Sequence, residues 1–256
     1  MTEFIDADLR DARFEQVTMN GARLSRVDLS DANFRSVDLS RVLMRGVDLI
    51  DVDISGEIEN LVINGVDVAP LIENELDRRH PDRVKMRPAD PEGFLEAWQI
   101  LERLWAATIE RARRFAPDQL HESVNGEWSF IETLRHLSFA TDSWIRRAIL
   151  GDPSPWDALG LPFDEFPDGP AFSRALDARP SLDEVLELRR SRTATVRDYL
   201  AALTDEALEG HTTPVDAPGW PPPKRYAIRS CLRVVLNEEW QHRLYAERDF
   251  DVLDDR

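Results

Sequence analysis

The sequence predicts two domains, an N-terminal coil with a five-residue period and an all-α four-helix bundle. Apolar residues recur at every fifth position from Phe4 to Ile54. Beyond a charged, proline-containing segment at residues 81–90, the apolar period changes to that of amphipathic helices. The length of 256 residues also suits two domains better than one. The expected limits are residues 1–70 for the coil, 71–90 for a short helix and linker, and 91–256 for the bundle.

Composition and charge exclude several classes of protein. Thirty-two basic and 49 acidic residues give a formal charge of 32 − 49 = −17, which argues against binding to nucleic acid or to an anionic membrane. No apolar run reaches the roughly 18 residues that a membrane span needs. The N-terminus lacks the basic and apolar regions of a signal peptide. A single cysteine, Cys231, excludes an internal disulfide framework. We therefore expect a cytoplasmic protein with no nucleic-acid partner and no membrane partner.

The five-residue period fits neither a helix nor a strand, which repeat at about 3.6 and 2 residues. It fits a coil that turns a corner every five residues and has four short faces per turn. In such a coil the large apolar residue and a small residue two places before it point inward. The large residues are Phe4, Leu9, Phe14, Met19, Leu24, Leu29, Phe34, Leu39, Met44, Leu49 and Ile54.

Residues 4–54 resemble the pentapeptide-repeat family, which implies a right-handed quadrilateral β-helix. The phase slips after Ile54, because the next apolar centre, Ile63, lies nine residues later. Some members of that family are acidic mimics of DNA. Residues 1–70 carry fourteen acidic and seven basic side chains, 7 − 14 = −7, and the interspersed arginines favour a scaffold or protein-docking role over mimicry.

The second half of the chain carries start signals for four helices. Pro91 opens the first, which continues through Ile109. Ser129 with Glu132, and Ser181 with Glu184, form predicted capping boxes for the second and third. The fourth is expected at about residues 228–248, and a short helix at 71–79 precedes the bundle. Two long connections, residues 151–180 and 204–227, are of a length often associated with function.

Two of the five histidines lie in predicted helices, and they suggest a metal site. His80, His121 and His211 lie in predicted loops or linkers and are interpreted as surface residues. His136 lies on the apolar side of the second helix, whereas Glu238 and His242 are spaced i, i+4 on the fourth. Three such ligands would hold a divalent ion and leave a position open. The alternative is a solvated glutamate–histidine pair and a hydrogen-bonded buried histidine.

The residues around these positions resemble the DinB superfamily. The similarity rests on GEWS at 126–129 with TLRHL at 133–137, and on NEEWQHRLYAERD at 237–249. It covers about residues 91–253 and implies a four-helix bundle with a metal triad of one histidine from helix two and a His-x-x-x-His from helix four. Glu238 replaces the first histidine of that later pair. The mycothiol-dependent maleylpyruvate isomerase branch is similar, with a His, Glu, His triad that falls here on His136, Glu238 and His242.

This resemblance implies a divalent metal, with zinc as the first choice and nickel, iron or manganese as alternatives. It also implies a low-molecular-weight thiol such as mycothiol, bound through sulfur and directed at a small electrophile in a thiol transferase or isomerase reaction. Trp128 and Trp240 flank the triad in sequence and are candidates for a pocket wall or for core packing. Arg243 is either a partner for a substrate carboxylate or a solvent-exposed arginine.

Two non-enzymatic interpretations also stay open. One is a scaffold or binding protein whose coil docks a protein partner, and the other is a bundle that keeps only its structure. The sequence also leaves open whether the protein is a homodimer.

Overall fold

The computed structural model describes residues 2–163 and 178–256, so part of the predicted long connection at 151–180 lies outside the described residues. The chain forms two compact units, Met1–Gly56 and Glu57–Arg256. The division lies earlier than the predicted limit at residue 70, because residues 57–70 contain a hairpin and the start of a helix.

The first unit turns a corner every five residues, as the sequence pattern predicts. Each fifth residue from Asp6 to Gly56 has a positive φ, and only three of these positions are glycines, Gly21, Gly46 and Gly56. Four of the corners are closed by a backbone hydrogen bond three residues along the chain, for example from Ala12 N to Leu9 O at 3.0 Å and from Ala32 N to Leu29 O at 3.1 Å. A left-handed residue in the third position is typical of type II turns.

The apolar positions of this unit are exposed, which differs from the expectation that they point into a closed core. Leu29 is 49% and Phe34 60% exposed, and no strand is assigned within the described residues 2–56. The physical reason is that a corner needs only local hydrogen bonds, whereas burial needs successive turns stacked about 4.8 Å apart. The structure therefore shows the corners of the repeat without the closed β-helix.

A hairpin and a short helix begin the second unit. Strands β1 (Val62–Ile63) and β2 (Val66–Asp67) pair antiparallel through Asn64 and Gly65, which both have positive φ as an Asn-Gly hairpin turn requires. Helix α1 spans Ala69–Arg79. The predicted linker is instead partly a 3-10 helix, Pro81–Met86, because Met86 packs into the core of the second unit.

Four long helical segments follow, and their starts match the predicted signals. Helix α2 spans Pro91–Ala112, α3 spans Phe130–Thr141 and continues as a π-helix over Asp142–Ile149, and α4 spans Leu182–Ala201. Both predicted capping boxes form. Helix α5, Asp205–Leu208, is a single turn, and α6 spans Ile228–Asp254, beyond the predicted end at 248 because Phe250 and Leu253 are buried. None of the helices described is long and apolar enough to span a membrane.

The helices pack around two apolar clusters. Phe94 and Trp98 of α2 meet Leu236 of α6 in one cluster, and Leu134 of α3 meets Phe250 of α6 in the other. Helix α6 therefore contacts both α2 and α3, and α4 packs against the same two helices. This arrangement places the middle of α6 opposite the middle of α3.

Two buried ion pairs attach α4 to its neighbours. Arg189 donates two hydrogen bonds of 2.8 Å to Glu239, and Arg192 donates two of 3.0 Å to Asp142. The side chains of Glu239 and Asp142 are each only 1% exposed. Because an unpaired charge in this setting is costly, each pair fixes how α4 docks.

Replacing Asp142 with alanine is expected to lower the free energy of unfolding by about 3–5 kcal/mol, because Arg192 would stay buried without its carboxylate. Asp152→Ala is the matched control. Asp152 is likewise an aspartate paired with an arginine, Arg146 at 2.9 Å, but its side chain is 34% exposed. That variant should lose less than about 1 kcal/mol. Urea unfolding followed by circular dichroism measures both, and equal losses would contradict the role given to the buried pair.

Candidate metal centre

Three side chains from two helices converge between α3 and α6. They are His136 of α3 and Glu238 and His242 of α6, and one ligand atom from each lies within 4.8 Å of the others. Helix α3 carries His136 on its buried face, and the i, i+4 spacing directs Glu238 and His242 toward it from one turn of α6. The structure thus brings together the three residues that the sequence singles out.

The spacing of the donors suits a small divalent ion. His136 Nε2 lies 3.3 Å from Glu238 Oε2. Two ligands at about 2.0–2.1 Å from a tetrahedral zinc ion are about 3.3–3.4 Å apart. His136 is 7% exposed, and the side chains of His242 and Glu238 are 17% and 29% exposed, so the cluster is mostly shielded while one side stays open.

The hydrogen bonds of both imidazoles favour ligation through Nε2. His136 Nδ1 donates to the backbone oxygen of Leu161 at 3.1 Å, and His242 Nδ1 donates to the backbone oxygen of Glu238 at 3.0 Å. A carbonyl oxygen can only accept, so each of these bonds favours a ring proton on Nδ1, which leaves the Nε2 lone pair for a metal. At His136 the Glu238 carboxylate near Nε2 is a competing acceptor for that proton. The donor set therefore fits the ion that the resemblance implies.

The protonation states of Glu238 and His242 at neutral pH also favour the binding of a cation. Burial alone would raise the pKa of Glu238, but the interaction with His136 and the charge of His242 outweigh it and hold this pKa below its ordinary value. Burial, followed by the proximity of His136, lowers the pKa of His242 to about 4. At neutral pH the cluster thus contains a carboxylate beside a neutral His242 imidazole.

Aromatic rings surround the imidazoles. The Trp128 ring centre lies 4.4 Å from that of His136 and 6.0 Å from that of His242, and Tyr245 lies 5.9 Å from His242. Of the two tryptophans that flank the triad in sequence, Trp128 therefore forms a wall of the site. Trp240 instead lies in the core between the helices.

The other candidate residues lie elsewhere. His211 is exposed, whereas His80 and His121 are half-buried rather than on the surface, and none of the three joins the cluster. Arg243 is not a solvated arginine either, because its Nε donates to Thr108 Oγ1 at 3.0 Å across the α2–α6 interface.

Sequence reasoning missed two kinds of neighbour. Arg189 and Arg192 lie at positions of α4 that the helical period places on its apolar face. A charged residue at such a position indicates a buried carboxylate partner, and this signal could have been used. The backbone oxygen of Leu161 left no signal, because any residue supplies a carbonyl.

Comparison with protein families agrees with this geometry. A family model of the DinB superfamily matches residues 100–246, more than half of the chain. The chain belongs to the DinB superfamily. A model of pentapeptide repeats matches residues 7–46 and 28–56 with eight copies, so the two resemblances found in the sequence are confirmed. No curated protein and no solved structure matched the chain.

Membership in the DinB superfamily places the cluster in a metal-binding fold, and the three donor residues all lie within the matched range. The commoner triad of the superfamily has histidine where this chain has Glu238. In this chain the Glu238 carboxylate lies 3.3 Å from His136 Nε2 and 3.4 Å from His242 Nδ1, next to both imidazoles.

The lowered pKa of His242 predicts a pH-dependent stability of the metal-free protein. Between pH 6.5 and about 4 the unfolded chain binds a proton at this residue that the folded chain does not. The free energy of unfolding should therefore fall as the pH drops through this range. His242→Gln should flatten that slope in urea unfolding measured at a series of pH values, whereas His211→Gln, at an exposed position, should keep it. An unchanged slope in His242→Gln would contradict the assignment.

Proposed function

We propose that the protein is a metal-dependent thiol transferase or isomerase that activates a low-molecular-weight thiol, such as mycothiol, toward a small electrophile. His136, Glu238 and His242 would hold a divalent ion, zinc first and nickel, iron or manganese as alternatives. The observation that carries the proposal is the convergence of these three donors, with each imidazole within hydrogen-bond distance of a backbone carbonyl oxygen through Nδ1. Three protein ligands are the number found in catalytic zinc sites, which keep one position open.

The charge of the donor set supports an anionic fourth ligand. One carboxylate and two neutral imidazoles would leave a divalent ion with a net charge of about +1. Because the site is partly shielded from water, this charge would attract an anionic fourth ligand more strongly than it would in bulk water. A divalent ion in this position lowers the pKa of a thiol ligand and supplies a thiolate at neutral pH. The Trp128 ring lies against the two imidazoles and would shield them on that side.

The sulfur for this chemistry would come from a small molecule. The single cysteine, Cys231, is fully buried in α6, and burial raises the pKa of its thiol to about 11. A thiol with that pKa is neutral and unreactive near pH 7. We place the reaction in the cytoplasm, where low-molecular-weight thiols are kept reduced.

A second candidate function is that of a scaffold or binding protein whose pentapeptide coil docks a protein partner. The observation in its favour is that Ile5, Leu43 and Ile50, apolar residues outside the five-residue series, are 74%, 71% and 77% exposed. Large apolar side chains that are exposed to this extent are candidates for contact with a partner surface. A homodimer would be one way to cover them.

We also propose that residues 1–56 close into the right-handed quadrilateral β-helix of the pentapeptide-repeat family. Eight non-glycine residues of this unit have positive φ: Asp6, Asp11, Gln16, Arg26, Asp31, Ser36, Arg41 and Asp51. A left-handed conformation costs such residues about 1–2 kcal/mol each. Burial of the apolar residues in stacked turns is the gain that would offset this cost.

Leu29→Asp tests the stacked coil. If Leu29 is inside a stack, its replacement should unfold the first unit, because an unpaired buried carboxylate costs several kcal/mol. Asn33→Asp is the control, since it adds the same charge at an exposed, isosteric position. The melting of each variant is followed by circular dichroism and limited proteolysis. Equal tolerance of both substitutions would rule out the stack and leave an open coil.

Alanine substitutions test the metal-dependent function. His136→Ala, Glu238→Ala and His242→Ala should each remove metal and abolish thiol transfer, because three donors act on one ion. His121→Ala and His211→Ala should do neither, as both lie outside the cluster. Metal per chain is measured by mass spectrometry on protein purified without a histidine tag. A wild type without metal, or controls that lose it equally, would leave the scaffold or a purely structural bundle. A wild type that binds metal without thiol-dependent turnover would favour a binding protein.

A further inference from the structure

A buried arginine lies next to the first metal ligand and connects it to the long segment after the π-helix. Arg135 is 1% exposed. Its Nε donates to the backbone oxygen of Leu159 at 2.8 Å, and its Nη1 donates to the backbone oxygen of Ala178 at 3.2 Å. The backbone oxygen of Arg135 in turn accepts from the Leu161 amide at 3.2 Å. Residue 135 thus holds residues 159–161 both through its side chain and through its backbone.

The segment that Arg135 holds supplies the partner of His136. The Leu161 backbone oxygen accepts from His136 Nδ1 at 3.1 Å. On the opposite side of the ring, Glu238 Oε2 lies 3.3 Å from Nε2. These two acceptors compete for the single proton of a neutral imidazole. Only a proton on Nδ1 leaves the Nε2 lone pair free for an ion.

We infer that Arg135 is a positioning residue that holds the Leu161 carbonyl against His136 Nδ1 and thereby fixes the ring in the tautomer that can bind metal through Nε2. The consequence for metal affinity rests on the proposed function, whereas the tautomer itself does not. The guanidinium suits this task because its planar set of donors reaches two carbonyls that are far apart in sequence. An ammonium group has one nitrogen and cannot bridge Leu159 and Ala178 in the same way.

A structural arginine elsewhere in the bundle provides the matched comparison. Arg147 is also 1% exposed, and it also donates to backbone oxygens of long connections, Pro153 at 3.0 Å and Val215 at 3.1 Å. Its carbonyl partners do not include residues 159–161. Loss of Arg147 therefore removes a buried arginine of the same kind without releasing Leu161.

The tautomer can be read in metal-free full-length protein that carries Glu238→Ala, in which the competing carboxylate is absent. Two-bond proton–nitrogen spectra of the histidine rings, recorded at mildly alkaline pH, distinguish a proton on Nδ1 from one on Nε2. With Arg135 intact, His136 should be a single Nδ1–H form. Adding Arg135→Met should bring in the Nε2–H form, and adding Arg147→Met should not. Arg135→Lys, which keeps more of the volume and the charge, gives the same reading if the methionine variant does not fold.

The second measurement is the zinc affinity of protein that keeps Glu238. Arg135→Met should weaken zinc binding about 10–100-fold, the range for loss of an outer partner of a ligating histidine, while Arg147→Met leaves it unchanged. The inference is overturned if His136 is an Nε2–H form with Arg135 intact, if it stays Nδ1–H in every folded Arg135 variant, or if Arg147→Met shifts it equally. If the unmodified protein binds none of zinc, nickel, iron and manganese, the proposed function fails and the ring spectra alone decide the inference.

Discussion

An ionised group in the interior of a helical protein needs a partner, and this constraint arranges the second unit. Transfer of an unpaired charge from water costs several kcal/mol, so each buried carboxylate fixes the position of whatever neutralises it. Asp142 in the π-helix and Glu239 on α6 are both paired with arginines from α4. These pairs hold α4 against the two helical segments that carry the candidate metal ligands. The separation of α3 and α6, and with it the geometry of the cluster, depends on them.

Two adjacent glutamates on α6 show how the kind of partner decides the role of a carboxylate. Glu239 is held by both nitrogens of the Arg189 guanidinium, which cannot lose its proton in a protein. Its charge is therefore permanently satisfied, and the residue has no capacity for another cation. Glu238, one residue earlier, faces two imidazoles instead of a guanidinium, and the lowered pKa of His242 leaves that ring neutral at pH 7, so the Glu238 charge remains available. One residue of helical rotation thus separates a structural carboxylate from a candidate ligand.

Much of the second unit was predictable because its signals are local. The capping boxes at Ser129 and Ser181, and the i, i+4 pair of Glu238 and His242, involve residues within one helical turn of each other. The pairing of that turn with His136 was a hypothesis from its place on the apolar side of another helix, and the family resemblance supported it. The hydrogen bond from His136 to Leu161 could not be predicted, since its acceptor is a backbone atom 25 residues away.

The first unit divides in the same way between local and non-local features. Its corners follow from a five-residue pattern, and the structure has them. Closure of the coil is a non-local property, because it depends on whether residues a full turn apart stack. A pattern of apolar residues cannot distinguish stacking within one chain from coverage by another surface, and the exposed Leu29 reflects that difference.

The glutamate in the triad has a further chemical consequence. A triad of three neutral imidazoles leaves the full +2 charge on a divalent ion, whereas Glu238 would reduce it to about +1. The smaller charge withdraws less electron density from a fourth ligand, so a thiolate held there would keep more of its nucleophilic character. Arg189 lies close enough to lower the pKa of His242, but its own charge is paired with Glu239. The field at the open position is therefore set mainly by Glu238 and the ion it would hold, which suits a soft sulfur nucleophile better than strong polarisation of an oxygen ligand.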